Sequence, residues 1–267
     1  MASRKVVLVT GGNNGIGYEA VKAFLQSQKP YHILLGSRSV EKGKLALDAL
    51  NKEVPESKNT VEVLQVDLES DESIEKAFEQ VKKSPGQLDA LVNNAGASFD
   101  PAFMRGKMSV RDCFNKAYNV NVSGTNVMSW TFIPLLLKSS DPRLLFIAGL
   151  SQITLAAEKY FPTPPQPAGW PKTIDFETIG YRCSKTALNM LMLDWNHKLK
   201  EDGVKVFGVG PGFLATNLGN DPELTAKANA MGAKHPSLGG LLIRSIVDGE
   251  RDAEVGKIIN KDGLSAF

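Results

Sequence analysis

The chain has 267 residues, 42% hydrophobic and 22% charged, enough for one large α/β domain with a sizeable core. Its net charge of +2 gives no electrostatic reason to expect nucleic acid or an anionic membrane as partner. Two cysteines make no disulfide framework, no apolar run reaches membrane-spanning length, and the first five residues lead straight into a strand without room for a signal peptide, so a cytoplasmic location is expected.

In chain order, the apolar run Val6–Val9 predicts a buried strand. Thr10 to Gly17 (TGGNNGIG) then predicts a glycine turn that opens a helix over Tyr18–Gln28. Gly11, Gly15 and Gly17, spaced GxxxGxG around Asn13, Asn14 and Ile16, let the backbone turn tightly and approach a ligand. The helix start aims free N–H groups and a positive dipole end at that turn, which suits a dinucleotide pyrophosphate.

A second strand, His32–Leu35, ends in Gly36-Ser37-Arg38-Ser39, with no acid before Glu41. A carboxylate at this distance from the glycines would read the ribose diol of NAD. Arg38, flanked by the Ser37 and Ser39 hydroxyls, instead suits a 2′-phosphate. A charge-assisted bond of this kind contributes roughly 1.5–3 kcal/mol, so NADP(H) is expected over NAD(H) by tenfold or more. The plainer reading of Arg38 is a solvated surface arginine.

A helix over Glu41–Lys52 and a strand over Val61–Val66 lead to Asp67-Leu68, where a carboxylate either accepts from an adenine amino group or caps the helix that follows at Asp71–Lys83. The fourth strand, Ala90–Val92, closes on Asn93-Asn94-Ala95-Gly96. Amide side chains there can hold neighbouring strands together, while Ala95 and Gly96 admit the cofactor ribose; a plain turn is the alternative. One long helix is predicted over Val110–Lys138 and a fifth strand over Leu144–Ile147. Pro162, Pro164, Pro165, Pro167 and Pro171 then forbid helix and central strand, marking an irregular insertion over about 152–180, which either borders the ligand crevice or is a plain surface loop. A helix over Tyr181–Lys200, a strand over Val204–Val209, a helix over Leu238–Asp248 and a strand over Lys257–Ile259 complete the pattern. Seven strands alternating with helices predict an α/β fold of the Rossmann, doubly wound type. Its seven-stranded, mostly parallel sheet carries helices on both faces of a single domain over 1–267.

Tyr181 and Lys185, at i and i+4, share one helix face. A phenol with pKa near 10 needs help to trade a proton at neutral pH, and a nearby ammonium favours the phenolate. Cys183 points elsewhere and reads as packing. His32, His197 and His235 are too scattered for a metal site, and none is expected.

TGGNNGIG at 10–17, NNAG at 93–96, NVNVSGT around Asn121, YRCSK at 181–185 and PGFLAT at 211–216 together resemble the short-chain dehydrogenase/reductase family over nearly the whole chain. The likeness is nearest to carbonyl reductases and their fungal relatives, which also carry an insertion before the active tyrosine. The resemblance implies that Tyr181 is the general acid–base and that Lys185 binds the nicotinamide ribose and lowers the tyrosine pKa. It implies that Asn121 holds a water in a proton relay and that Pro211, Gly212 and Thr216 line the nicotinamide carboxamide. It also implies a serine at the end of the fifth strand, orienting the substrate carbonyl. That position falls at Ala148 or Gly149, and Ser151 is the nearest hydroxyl, so the role is assigned to Ser151.

The implied activity is NADPH-dependent reduction of a ketone or aldehyde, by a monomer or homo-oligomer. The 151–179 excursion and a substrate lid over about 213–236 supply Phe161, Trp170, Phe176, Phe213, Leu214 and Leu218, which points to an apolar or aromatic carbonyl compound. Two rivals stand beside this reading. One is the same fold recruited for isomerisation or cyclisation, supported by the displaced serine. The other is a non-catalytic NADP-binding protein, against which the Asn121/Tyr181/Lys185 set argues.

Overall fold

In the computed structural model, which describes residues 4–149, 151–160, 164–172, 177–218 and 222–267, the apolar runs pair as the centre of one sheet. These are β1 (Lys5–Val9), β4 (Ala90–Asn93), β5 (Arg143–Ile147) and β6 (Lys205–Val209). β2 (Tyr31–Ser37) and β3 (Thr60–Gln65) extend one side, and β7 (Ile258–Asn260) and β8 (Gly263–Ser265) the other, in the order β3-β2-β1-β4-β5-β6-β7-β8. Every pairing is parallel except β7 with β8. The eighth strand was not expected from the sequence. It is only three residues after the Lys261-Asp262 turn, too short to display an alternating pattern.

Alternation along the strands separates two cores. Val6 and Leu8 pack with Ile74, Phe132 and Met192, from helices α3 (Asp71–Lys83), α6 (Thr125–Leu136) and α8 (Ile179–Leu199). Val7 and Val9 pack with Phe24, Leu50 and Ile243, from α1 (Gly15–Leu25), α2 (Val40–Glu53) and α10 (Ser237–Val247). Each such side chain, removed from water, contributes roughly 1.5–3 kcal/mol. Because the chain runs outward from β1 to β3 and returns to β4, the strand order reverses between β1 and β4, which opens a crevice at the carboxyl ends. At the opposite edge Asp141 receives Lys5, Arg143 and Lys205, tying the starts of β1, β5 and β6.

The single helix expected over Val110–Lys138 is broken. α5 (Val110–Tyr118) passes through a π-helical turn at Asn119–Gly124 before α6 begins. Gly124 lies so close to β3's outgoing chain that a Cβ there would sit 2.1 Å from the Leu68 carbonyl oxygen. The wider turn carries Asn121 into the interior. Three short helices also escaped the sequence pattern: α4 (Asp100–Met104), α7 (Ile153–Glu158) and α9 (Pro222–Ala230). α9 sits in the segment after β6, whose ends are joined by Lys234 N–H to the Phe213 carbonyl at 2.9 Å and Ala215 N–H to the Lys234 carbonyl at 2.8 Å. Among the described residues no helix is long and apolar enough to cross a membrane.

Candidate active site

A cavity of about 1130 Å³ occupies the crevice, and its floor is the glycine turn. Gly11 and Gly15 have φ of +64° and +55°, a left-handed conformation that side chains resist. A Cβ on Gly17 would lie 2.3 Å from the Gly11 carbonyl oxygen and 2.5 Å from Asn94 Nδ2, so the third glycine is required for closeness. The buried Thr10 hydroxyl accepts from the Asn94 and Ala95 N–H groups, both at 3.0 Å, and Asn94 Nδ2 donates to the Thr10 carbonyl at 2.8 Å. These bonds lock the turn to the end of β4. Helix α1 begins inside the turn, at Gly15 and not at Tyr18. Its Asn14 cap makes no side-chain bond and its first turn holds no acid, so the positive end faces the cavity unneutralised.

At the end of β2, Ser37 Oγ donates to the Ser39 carbonyl at 2.8 Å, and Ser39 caps α2 by accepting from Lys42 N–H at 3.2 Å. The Arg38 side chain is 71% exposed and stands 3.7 Å from Glu69. Lys42 joins Arg38 in lining this corner. Sequence reasoning overlooked Lys42, although its place four residues after Arg38, on the helix Ser39 opens, is a usable signal. Asp67 lines the cavity as well. Its Oδ1 accepts from Glu69 N–H at 3.1 Å, and the cap of α3 is Ser70, which accepts from Ser73 N–H at 3.2 Å.

Tyr181 and Lys185 project from the first turns of α8. Lys185 is 2% exposed, its Nζ donates to the Ile147 carbonyl at 2.7 Å, and it lies 5.6 Å from the Tyr181 ring centroid. Burial drives both groups towards neutrality: the phenol is pushed well above its usual range, and the lysine falls from 10.5 to about 8. The expected lowering of the tyrosine by its neighbour is therefore not what the protein alone displays. The phenol stays protonated at neutral pH.

The helix start itself is held by Asp100, a wholly buried carboxylate the sequence did not single out. Its oxygens accept from Gly180 N–H at 2.8 Å, Tyr181 N–H at 3.0 Å and Ser98 Oγ at 3.0 Å. The close approach works because residue 180 is glycine: a Cβ there would meet Cys113 Sγ at 3.0 Å and Asp100 Oδ1 at 3.2 Å. Burial and Asp100 push the Cys113 thiol up to about 11, and burial raises Cys183, so both behave as inert packing groups.

All the binding and catalytic residues expected from the sequence line the cavity except Gly17, Asn121 and Ser151. Gly17 supports the cradle from behind. Asn121 is a buried bracket: Nδ2 donates to the Ala97 carbonyl at 2.9 Å and to Ser184 Oγ at 2.8 Å, and Oδ1 accepts from Ala97 N–H at 2.8 Å. With both amide protons engaged, the side chain has none to offer a relay water. Ser151 is 1% exposed, with its hydroxyl 3.4 Å from the Gly149 carbonyl and no face on the cavity. The residue facing the phenol is Gly149, where a Cβ would lie 2.8 Å from the Tyr181 hydroxyl, while Ala148 packs into the core. Ser151 is held away from the phenol, its N–H donating to the Gly149 carbonyl at 2.8 Å.

Pro211, Gly212 and Thr216 face the glycine turn from the other side. Thr216 Cγ2 is 3.5 Å from where a Cβ on Gly15 would be. Phe213, Leu214 and Leu218 line the same cavity. Trp170 does not: it is 87% exposed, on an irregular stretch that turns it outward. Phe161 and Phe176 lie outside the described residues. The glycine cradle and the uncapped start of α1 together fit a dinucleotide phosphate chain, with the Arg38–Lys42 corner at the ribose end. Among the described residues no group of three His, Cys, Asp or Glu side chains gathers in a form suited to a metal ion.

The short chain dehydrogenase family model matches residues 5–157. The chain is 46% identical over 265 residues to the short-chain dehydrogenase/reductase tropE of Talaromyces stipitatus, covering 98% of this chain and 97% of that protein. It is 42% identical over 256 residues to eupG of Phoma sp, covering 93% and 92%. Among solved structures, NADPH-bound carbonyl reductase from chicken fatty liver has the same fold, with a TM-score of 0.75 over 99% of each chain at 23% identity.

Proposed function

The chain belongs to the short-chain dehydrogenase/reductase family, an oxidoreductase with a nicotinamide-dinucleotide site, and from that premise we propose that it is an NADPH-dependent carbonyl reductase acting on a ketone or aldehyde. The observation that carries the proposal is the Tyr181 phenol beside buried Lys185, in the cavity that begins at the glycine cradle. A bound dihydronicotinamide supplies a hydride for the carbonyl carbon. Tyr181 holds a proton for the oxygen that becomes the alcohol. Lys185, while protonated, stabilises the phenolate that proton transfer leaves behind. Asn121 and Asp100 keep the loop after β4 and the start of α8 in register around the pair.

The preference for NADPH is supported by Arg38 and Lys42 and by the lack of an acid at the end of β2. Glu69 offsets part of that charge. The NADPH named in the carbonyl reductase structure agrees with this reading. Phe213, Leu214 and Leu218 support an apolar or aromatic substrate. A second reading, non-redox chemistry on the same fold, draws on Gly149 standing where a hydroxyl is expected, and predicts substrate conversion without loss of NADPH absorbance.

The deciding experiment follows NADPH and NADH oxidation at 340 nm over aldehydes, aryl ketones, diketones and quinones, with Tyr181→Phe alongside. The proposal expects wild-type turnover that Tyr181→Phe abolishes while NADPH still binds. Retained turnover in that variant would refute it.

A further inference from the structure

We propose that the side-chain amide of Gln152 donates the hydrogen bond that holds the substrate's carbonyl oxygen beside Tyr181. The inference rests on the carbonyl-reductase reading above and deepens it, since it names the group that replaces the strand-end hydroxyl.

The end of β5 offers no hydroxyl to the phenol. At position 149 a Cβ would come within 2.8 Å of the Tyr181 oxygen, so a side chain there would have to displace the phenol, and Ser151 is buried away from the cavity. The next polar side chain is Gln152, half-buried and lining the same cavity as Gly149 and Tyr181. Its Nε2 lies 3.7 Å from where a Cβ on Gly210 would be. Gly210 follows β6, whose Val209 pairs with Ile147 of β5 and accepts from Ala148 N–H at 2.8 Å. Two bare glycines, 149 and 210, thus stand at adjoining strand ends, with the phenol against one and the amide near the other. Ile258 Cγ2 and Ser265 Oγ also flank the Gly210 position, each 3.4 Å from where a Cβ would be.

Gln152 is also unspent. Its amide has no hydrogen-bond partner among the described residues, although a half-buried amide normally finds one. Its backbone is held at the start of α7, where its carbonyl accepts from Ala156 N–H at 3.1 Å. A neutral amide is the chemistry the position needs. As hydride reaches the carbonyl carbon, the π pair moves to oxygen. Tyr181 transfers its proton to that oxygen, and Gln152 keeps both of its own while stabilising the developing negative charge.

The test measures kcat/KM with NADPH for 4-nitrobenzaldehyde and phenanthrene-9,10-quinone in wild type, Gln152→Leu, Gln152→Glu and Tyr181→Phe. Dissociation constants for NADPH come from fluorescence titration, and folding is checked by thermal melting. Both Gln152 variants should lose roughly 100-fold in kcat/KM while holding NADPH within about twofold of wild type. Should the leucine variant not fold, the nearly isosteric glutamate variant decides. A folded Gln152 variant with kcat/KM within about twofold of wild type, beside an inactive Tyr181→Phe, overturns the role of Gln152 and leaves the reductase reading standing. Turnover retained in Tyr181→Phe, or neither probe reduced by wild type, overturns that reading and this inference with it.

Discussion

Lys185 is a buried cation without a carboxylate partner among the described residues, so replacing it with methionine should leave the protein inactive and yet more stable at neutral pH. Its pKa falls from 10.5 to about 8, a depression worth roughly 3 kcal/mol that the folded state bears whenever the lysine is charged. Methionine retains most of the aliphatic stem but leaves the Ile147 carbonyl without its 2.7 Å donor, a loss of about 1–3 kcal/mol. The expected net gain at pH 7 is up to about 2 kcal/mol. Between pH 8 and 10.5 the unfolded chain binds more protons at this site than the folded one, so wild-type stability rises through that window from this group while the variant's does not. The difference between the two proteins should therefore shrink as pH approaches 10. Urea unfolding of the cofactor-free protein, followed by tryptophan fluorescence at pH 7 and 9.5, measures both quantities. A Lys185→Met protein less stable than wild type at pH 7, or a difference that does not narrow with pH, would refute the reasoning.

Further outcomes follow from other parts of the site. Arg38→Ala combined with Lys42→Ala should raise the KM for NADPH at least about tenfold and change that for NADH much less, as initial rates with each cofactor would reveal. An equal change for both cofactors would remove the 2′-phosphate assignment. Gly17→Ala should abolish NADPH binding in fluorescence titration, because its Cβ would be driven to 2.3 Å from the Gly11 oxygen and the turn must open to relieve it. Normal affinity in that variant would contradict the cradle geometry. Asp100→Ala removes the acceptors of Gly180 and Tyr181 N–H and should destabilise the fold by about 2–3 kcal/mol. It should also lower kcat more than it raises the KM for NADPH; calorimetry with steady-state kinetics checks both, and an unaltered melting temperature would count against it.

Much of this molecule is legible locally. Strand runs such as Val6–Val9, the glycine spacing of 11, 15 and 17, and the four-residue separation of Tyr181 and Lys185 each encode a geometry that a few neighbouring residues suffice to impose. The cradle, the sheet class and the neighbouring of Tyr181 and Lys185 follow from them. The seven-strand expectation fell short by β8, because three residues cannot display a period. The long helix failed at the π turn, because it is the Leu68 carbonyl, 56 positions upstream of Gly124, that crowds the helix there.

The substrate end is a different matter, since it depends on direction and not on spacing. Counting residues brings Ser151 near the strand end, but its N–H is tied to the Gly149 carbonyl, its hydroxyl is buried, and a bare glycine stands opposite the phenol. Asn121 reads as a polar site residue until Ala97 and Ser184 take up its amide protons. Asp100 carries no motif at all, and gains its role because the loop after β4 and the start of α8, 80 residues apart, meet in the fold. A backbone periodicity is written into adjacent residues, whereas the vector of a single side chain at a loop end is set by contacts with chain far away in sequence.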